Sequence, residues 1–176
     1  MQINGQPSAV YYISPTQINA QVPALGTTGT ATLRIIRDGV PSHPEPVEIR
    51  ASSPEFFRYY VGSKAYVQAV HTEGSVVADP AVVPGLKAAA VGETILIFGT
   101  AFTTSPAGQI LNTVTPVSGT TVKINAASAT VTFSGLAATG LFQANVVVPS
   151  LPAGDYPVSL SVNGVPNLVT GIVSIR

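Results

Sequence analysis

Cysteine and tryptophan are absent from this chain of 176 residues, methionine occurs once and histidine twice. Without cysteine there is no disulfide framework and no thiolate metal centre. Charged residues make up only 9%, far below the usual quarter or so. A water-facing surface must therefore be covered by Ser, Thr, Asn, Gln and Gly, a habit of secreted β-proteins. Eight basic and eight acidic side chains cancel, which leaves no electrostatic footprint for nucleic acid or an anionic membrane. No apolar run approaches the roughly 18 residues that a membrane-spanning helix needs, so no membrane insertion is expected. The start, Met1-Gln-Ile-Asn-Gly-Gln-Pro7, lacks the basic and apolar regions of a signal peptide. An export signal is expected upstream of it.

Apolar residues reach 45%, ample for a core, and are broken up by 16 glycines and 15 prolines. No window keeps a helical period over three turns. Alternating, β-branched stretches predict strands at 9–13, 17–22, 30–37, 46–50, 56–61, 65–71, 94–98, 121–124, 129–133, 142–148, 156–162 and 171–175. In the stretch from Val158 to Val162, Val, Leu and Val share one face and serines the other. Asp38-Gly39 and Asn163-Gly164 predict two-residue hairpins, whose type I′ turn needs positive φ at both central positions. A helical turn is expected only near 85–90. Short strands with turns every 8–12 residues or so indicate a β-sandwich.

Within that pattern lies an internal repeat. Gln17-Ile-Asn-Ala-Gln-Val-Pro23 returns as Gln143-Ala-Asn-Val-Val-Val-Pro149, Asp38-Gly-Val-Pro41 as Asn163-Gly-Val-Pro166, Val47-Glu-Ile-Arg50 as Val173-Ser-Ile-Arg176, and Ile3-Asn4 as Ile124-Asn125. The second copy runs further upstream, through Gly92-Glu-Thr-Ile-Leu-Ile-Phe-Gly-Thr-Ala-Phe102; the first has no matching half. Three segments follow: a partial unit over 1–50, a linker with an aromatic hairpin over 51–83, and a complete sandwich over 84–176.

The stretch from Gly92 to Phe102, a glycine-flanked apolar strand followed by Gly-x-x-Phe, resembles the opening of IPT/TIG immunoglobulin-like domains. Ser14-Pro-Thr-Gln-Ile-Asn-Ala-Gln-Val-Pro23 and Ser53-Pro-Glu-Phe-Phe57, in the same order, resemble tandem domains at the C-termini of large secreted proteins of soil bacteria. The resemblance implies an all-β, immunoglobulin-like sandwich and an extracellular or cell-surface setting. It brings no catalytic residues and no cofactor.

Hydrolase, phosphate-loop, zinc-protease and calcium-loop motifs are all missing. His43 in a Pro-Ser-His-Pro loop and His71 at a strand end are expected to be exposed loop residues, and no metal site or metal dependence is expected. The same-face pairs Gln17/Asn19 and Gln143/Asn145 could bond sugar hydroxyls or hold local backbone; their recurrence in both copies favours the backbone role. Charges gather between Arg37 and Arg58, followed at once by Phe56, Phe57, Tyr59, Tyr60 and Tyr66. Rings beside carboxylates suit a sugar-binding surface, which would use Phe57, Tyr59, Tyr60 and Tyr66. If the chain were an enzyme, a glycoside hydrolase using Glu45, Glu48, Glu55 or Asp38 would be the form it took. Otherwise the hairpin over 56–71 cements two domains and lies outside both cores.

The leading expectation is a non-catalytic extracellular module for adhesion, surface display or polysaccharide contact. A hydrolase and a structural spacer are the competing readings. A lone half-sandwich would leave Val10, Tyr12, Leu33 and Ile35 wet. A homodimer through the incomplete unit is therefore expected.

Overall fold

The computed structural model describes residues 1–102 and 110–176. The described residues are all-β, without a helix, and the chain separates into two compact units. One is built on Met1–Ser52 and the other on residues 53–102 and 113–176.

The first unit holds eight short strands: β1 (Gln2–Ile3), β2 (Gln6–Pro7), β3 (Ala9–Ile13), β4 (Ile18–Gln21), β5 (Gly29–Arg34), β6 (Ile36–Arg37), β7 (Val40–Pro41) and β8 (Glu45–Ile49). They form a sheet in the order β2-β1-β5-β8 and two separate ribbons, β3-β4 and β6-β7. Asp38 and Gly39, at φ 50° and 81°, make the predicted type I′ turn between β6 and β7.

The second unit opens with β9 (Glu55–Phe56), β10 (Arg58–Val61), β11 (Lys64–Val67) and β12 (Ala69–His71). It continues through β13 (Thr94–Thr100), β14 (Thr115–Pro116), β15 (Thr120–Ile124), β16 (Ala127–Ala138), β17 (Leu141–Val147), β18 (Gly154–Val162), β19 (Val165–Pro166) and β20 (Gly171–Ile175). The main path runs β10-β11-β20-β18-β15-β16-β17-β13-β12. β16 makes the corner. Its start, to Ala129, pairs with β15 and the rest, from Thr130, with β17, and an irregularity between Val131 and Phe133 follows just after the change, a usual device for bending a strand. One end of this path, β12, is joined to β20, near the other end, by backbone bonds through residues 77–89. Val77 N donates to Ala69 O at 2.9 Å, Ala78 N to Lys87 O at 2.8 Å, and Ala89 N to Ser174 O at 2.9 Å. The sheet is therefore nearly closed into a barrel, and few edges are left open.

Alternation fills this unit. Ile95 and Ile97 of β13, Ala144 and Val146 of β17, Val158, Leu160 and Val162 of β18 and Val173 and Ile175 of β20 are all buried. Gly99 is required in β13 by close approach. A Cβ there would lie 2.3 Å from the Glu55 carbonyl oxygen and 2.7 Å from the Phe102 ring.

Three expectations need correction. The hairpin over 56–71 is no linker: β11 pairs with β20, and β9 and β12 both pair with β13. Phe56, Tyr66, Val67 and Ala69 are buried in the core of the second unit, so this segment supplies strands that the stretch 84–176 lacks. Of the helical turn expected near 85–90 only a single turn at 84–85 is found, with Leu86 N donating to Val83 O at 3.2 Å, and 86–90 is extended. Lys87 bridges Val77 and Ala89 bridges Ile175, while another turn falls earlier, where Val82 N and Val83 N both donate to Asp79 O. His71 is 3% exposed, an inward residue of β12 on the same parity as Val67 and Ala69.

Candidate functional site

The strands of the first unit repeat β15 to β20 of the second. Tyr12 faces Asn19 between β3 and β4 as Phe133 faces Asn145 between β16 and β17, and both ladders slip by one residue just before that pair. Ile3 faces Leu33 as Ile124 faces Val158, and Gly29 faces Ile49 as Gly154 faces Ile175. Side chains repeat as well. Gln17 Nε2 donates to Asn19 Oδ1 at 2.6 Å, and Gln143 Nε2 to Asn145 Oδ1 at the same 2.6 Å. After each hairpin, Ser42 or Asn167 accepts from Ile35 N at 3.1 Å or Leu160 N at 2.8 Å. The amide pairs thus bond to each other.

What does not repeat among the described residues is β9 to β14, and of these β13 is the strand that lies beside β17. In the second unit β13 lies along the outer edge of β17, from Thr94 against Val147 to Gly99 against Phe142. In the first unit β4, the counterpart of β17, pairs only with β3 among the described residues. Burial follows. Val148 is 1% exposed and its counterpart Val22 42%; Leu160 is 2% exposed and its counterpart Ile35 40%. Val10, Tyr11, Tyr12 and Ile13 are exposed on the same ribbon. Among the described residues an unpaired strand edge thus runs beside exposed apolar side chains.

The aromatic group is divided by the fold. Tyr66 is 1% exposed and stacks on Tyr59, with ring centroids 5.4 Å apart and planes at 16°. The Tyr59 hydroxyl donates to Val77 O at 2.9 Å. Burial, with Tyr66 beside it, raises the Tyr59 phenol above its ordinary pKa. Only Tyr60, 66% exposed, and Phe57, 39% exposed, present rings to solvent.

The carboxylates singled out in the sequence are dispersed. Asp38, beside Arg37 at 3.6 Å, sits exposed at the β6–β7 turn. Glu45 and Glu48 are exposed on β8, three residues apart and so on opposite faces of the strand. Glu55 belongs to the second unit, where Oε1 accepts from Leu168 N at 2.5 Å and Val169 N at 3.3 Å; it fastens a loop. His43 is exposed, as expected. A shallow depression in the first unit is lined by Gln2, Asn4, Gly5, Thr32 and Arg34.

One cluster was missed in the sequence. His71, Glu73 and Glu93 bring potential ligand atoms within 4.8 Å of one another. These atoms already have partners. His71 Nδ1 bonds Glu93 Oε1, His71 Nε2 lies 3.2 Å from Lys87 O, and Ala90 N donates to Glu93 Oε2 at 2.8 Å. Lys87 Nζ donates to Glu73 Oε1 at 2.8 Å, which, helped by Ser75, lowers that carboxyl to about 2. The period-2 pattern Val67, Ala69, His71 was the available signal for the inward histidine.

No described helix is long and apolar enough to cross a membrane. Comparison with protein-family models, curated proteins and solved structures finds no match to this chain.

Proposed function

We propose that this chain is a non-catalytic module of an exported protein, built from IPT/TIG-type immunoglobulin-like units and serving adhesion or surface display by associating through its first unit. The observation that carries this reading is the apolar face of that unit, wet at Val22 and Ile35 where the repeat buries Val148 and Leu160. Low charge and the sequence resemblance support the extracellular setting. The homodimer expected from sequence is one way of covering the face. A hydrolase is disfavoured by the placement of its acids, since Glu45 and Glu48 point to opposite faces and Glu55 is bound to backbone. The polysaccharide platform is weakened because Tyr59 and Tyr66 stack on each other.

The test compares the chain with a Val10→Ser, Tyr12→Ser, Ile35→Ser variant by binding of an apolar dye and by sedimentation. Dye binding and reversible association in the parent, both lost in the variant, support the reading. A dye-silent monomer would indicate a spacer instead. Glycoside turnover lost in Glu48→Gln would make the chain a hydrolase, and polysaccharide retention lost in Tyr60→Ala would make it a glycan-binding module.

A further inference from the structure

We infer that the first unit is a strand acceptor: its β4 edge receives, antiparallel, an extended segment with the apolar alternation of β13, supplied from outside these 176 residues. This rests on the association reading above and names what associates.

The second unit supplies the occupant's description. There β17 and β16 carry the same ladder slip and the same Gln–Asn bond as β4 and β3. The strand that completes them is β13, Thr-Ile-Leu-Ile-Phe-Gly-Thr, with Ile95 and Ile97 fully buried. Carried across the repeat, its register is defined. The residue in the place of Thr94 meets Gln21, that of Ile95 meets Ala20, that of Leu96 meets Asn19 and that of Ile97 meets Ile18. The ladder would extend one step further, as Gly92 N and Val148 N do when they bond Val148 O and Glu93 O at 2.9 and 2.8 Å. Strand addition of this kind draws affinity from main-chain bonds and specificity from pockets for alternate side chains. The first is offered by the β4 edge, unpaired on its outer side among the described residues, and the second by the exposed apolar side chains of Val22 and Ile35.

A folded second copy is a poorer occupant. Its own β13 is bonded to β17 on one side and to β12 and β9 on the other, so lending it would open the second unit. Two β4 edges could pair, but Gln17 and Asn19 would then stand where β13 brings Phe98 and Leu96. The occupant is thus a segment not yet committed to a sheet.

The probe is a synthetic peptide copying Gly92–Phe102, with two lysines added for solubility, titrated into the full chain. Fluorescence anisotropy reports affinity, and hydrogen exchange reports where it binds. Saturable binding is expected, with exchange slowed at 17–22 and unchanged at 141–147. A peptide with serine in the places of Ile95 and Ile97 should bind at least tenfold more weakly, as should the Ala20→Asp chain, whose second unit must keep its exchange pattern. Several outcomes overturn the proposal: absent binding, equal binding of the serine peptide, slowing at 141–147 alone, or exchange at 17–22 already slow in the free chain. If the peptide fails while dye binding and association persist, the association reading stands and only the strand acceptor falls.

Discussion

Lys64 Nζ donates to Asp155 Oδ2 at 2.6 Å, tying the β10–β11 hairpin to β18 within the second unit. The Ser174 hydroxyl donates to the other oxygen of the same carboxylate at 2.5 Å. Arg176 stands 3.8 Å from it and 2.8 Å from Asp79. A chain of charges thus runs along the seam where the near-barrel closes.

Burial pushes the Asp155 carboxyl up, but the bonds from Lys64 and Ser174 and the charges of Lys64 and Arg176 outweigh it and hold the group below its ordinary pKa. A carboxyl lowered on folding stabilises the fold fully above its unfolded value, about 3.9. That contribution is lost as pH falls from there through the folded value. Melting temperature should therefore drop below about pH 4, and Asp155→Asn should flatten that part of the curve. Thermal melts of both proteins between about pH 2 and 7 check this; parallel acid limbs would contradict it.

The Gln–Asn bonds predict unequal costs in the two units. Gln143 and Asn145 are both half-buried, whereas Gln17 is exposed beside a half-buried Asn19. Asn145→Ala removes a shielded bond and strands the Gln143 amide, which should cost about 1–2 kcal/mol. Asn19→Ala leaves an amide that water can satisfy and should cost less than about 0.5 kcal/mol. Urea unfolding of the two variants measures both.

Much of the fold was legible because it rests on period two. The strand expected over 9–13 is β3 and that over 171–175 is β20, residue for residue. Asn163 and Gly164 form their turn at φ 50° and 82°. What the chain hides is partnership. Tyr59 and Tyr66 look like a surface pair until β11 is laid beside β20, a parallel contact between residues more than a hundred positions apart. Glu55 reads as a free acid until the Leu168 backbone is folded against it. Glu93 is far from His71 in sequence and beside it in space because β12 and β13 are antiparallel neighbours. Alternation reports which face a residue takes and carries no information about what faces it.

The His71, Glu73 and Glu93 cluster leads to a prediction about metals. A cation entering there must break the Lys87–Glu73 ion pair at 2.8 Å and the His71–Glu93 bond. Micromolar zinc should therefore shift the melting temperature of the parent chain by less than about 1 °C. Lys87→Ala frees Glu73 and should increase the shift, because a ligand that binds only the native state stabilises it by mass action. A zinc-dependent rise of several degrees in the parent would refute this.

Tyr59 and Tyr66 stack on each other yet should respond with opposite signs when their hydroxyls are removed. The Tyr59 hydroxyl donates to Val77 O at 2.9 Å, on the segment that closes the near-barrel. Tyr59→Phe leaves that carbonyl short of a donor and should destabilise by about 1 kcal/mol. The Tyr66 hydroxyl is buried without a hydrogen-bond partner among the described residues, and the residue is 1% exposed. A desolvated hydroxyl that gains no bond costs free energy, so Tyr66→Phe should be stabilising, by about 1 kcal/mol. Tyr66→Ala, which also empties a ring-sized space, should cost about 3–5 kcal/mol, whereas Tyr60→Ala at the exposed ring should change stability by less than about 0.5 kcal/mol. Denaturant unfolding of the four variants orders them. If Tyr66→Phe proves as harmful as Tyr59→Phe, the buried hydroxyl has a partner and the opposite signs argued for the stacked pair are wrong.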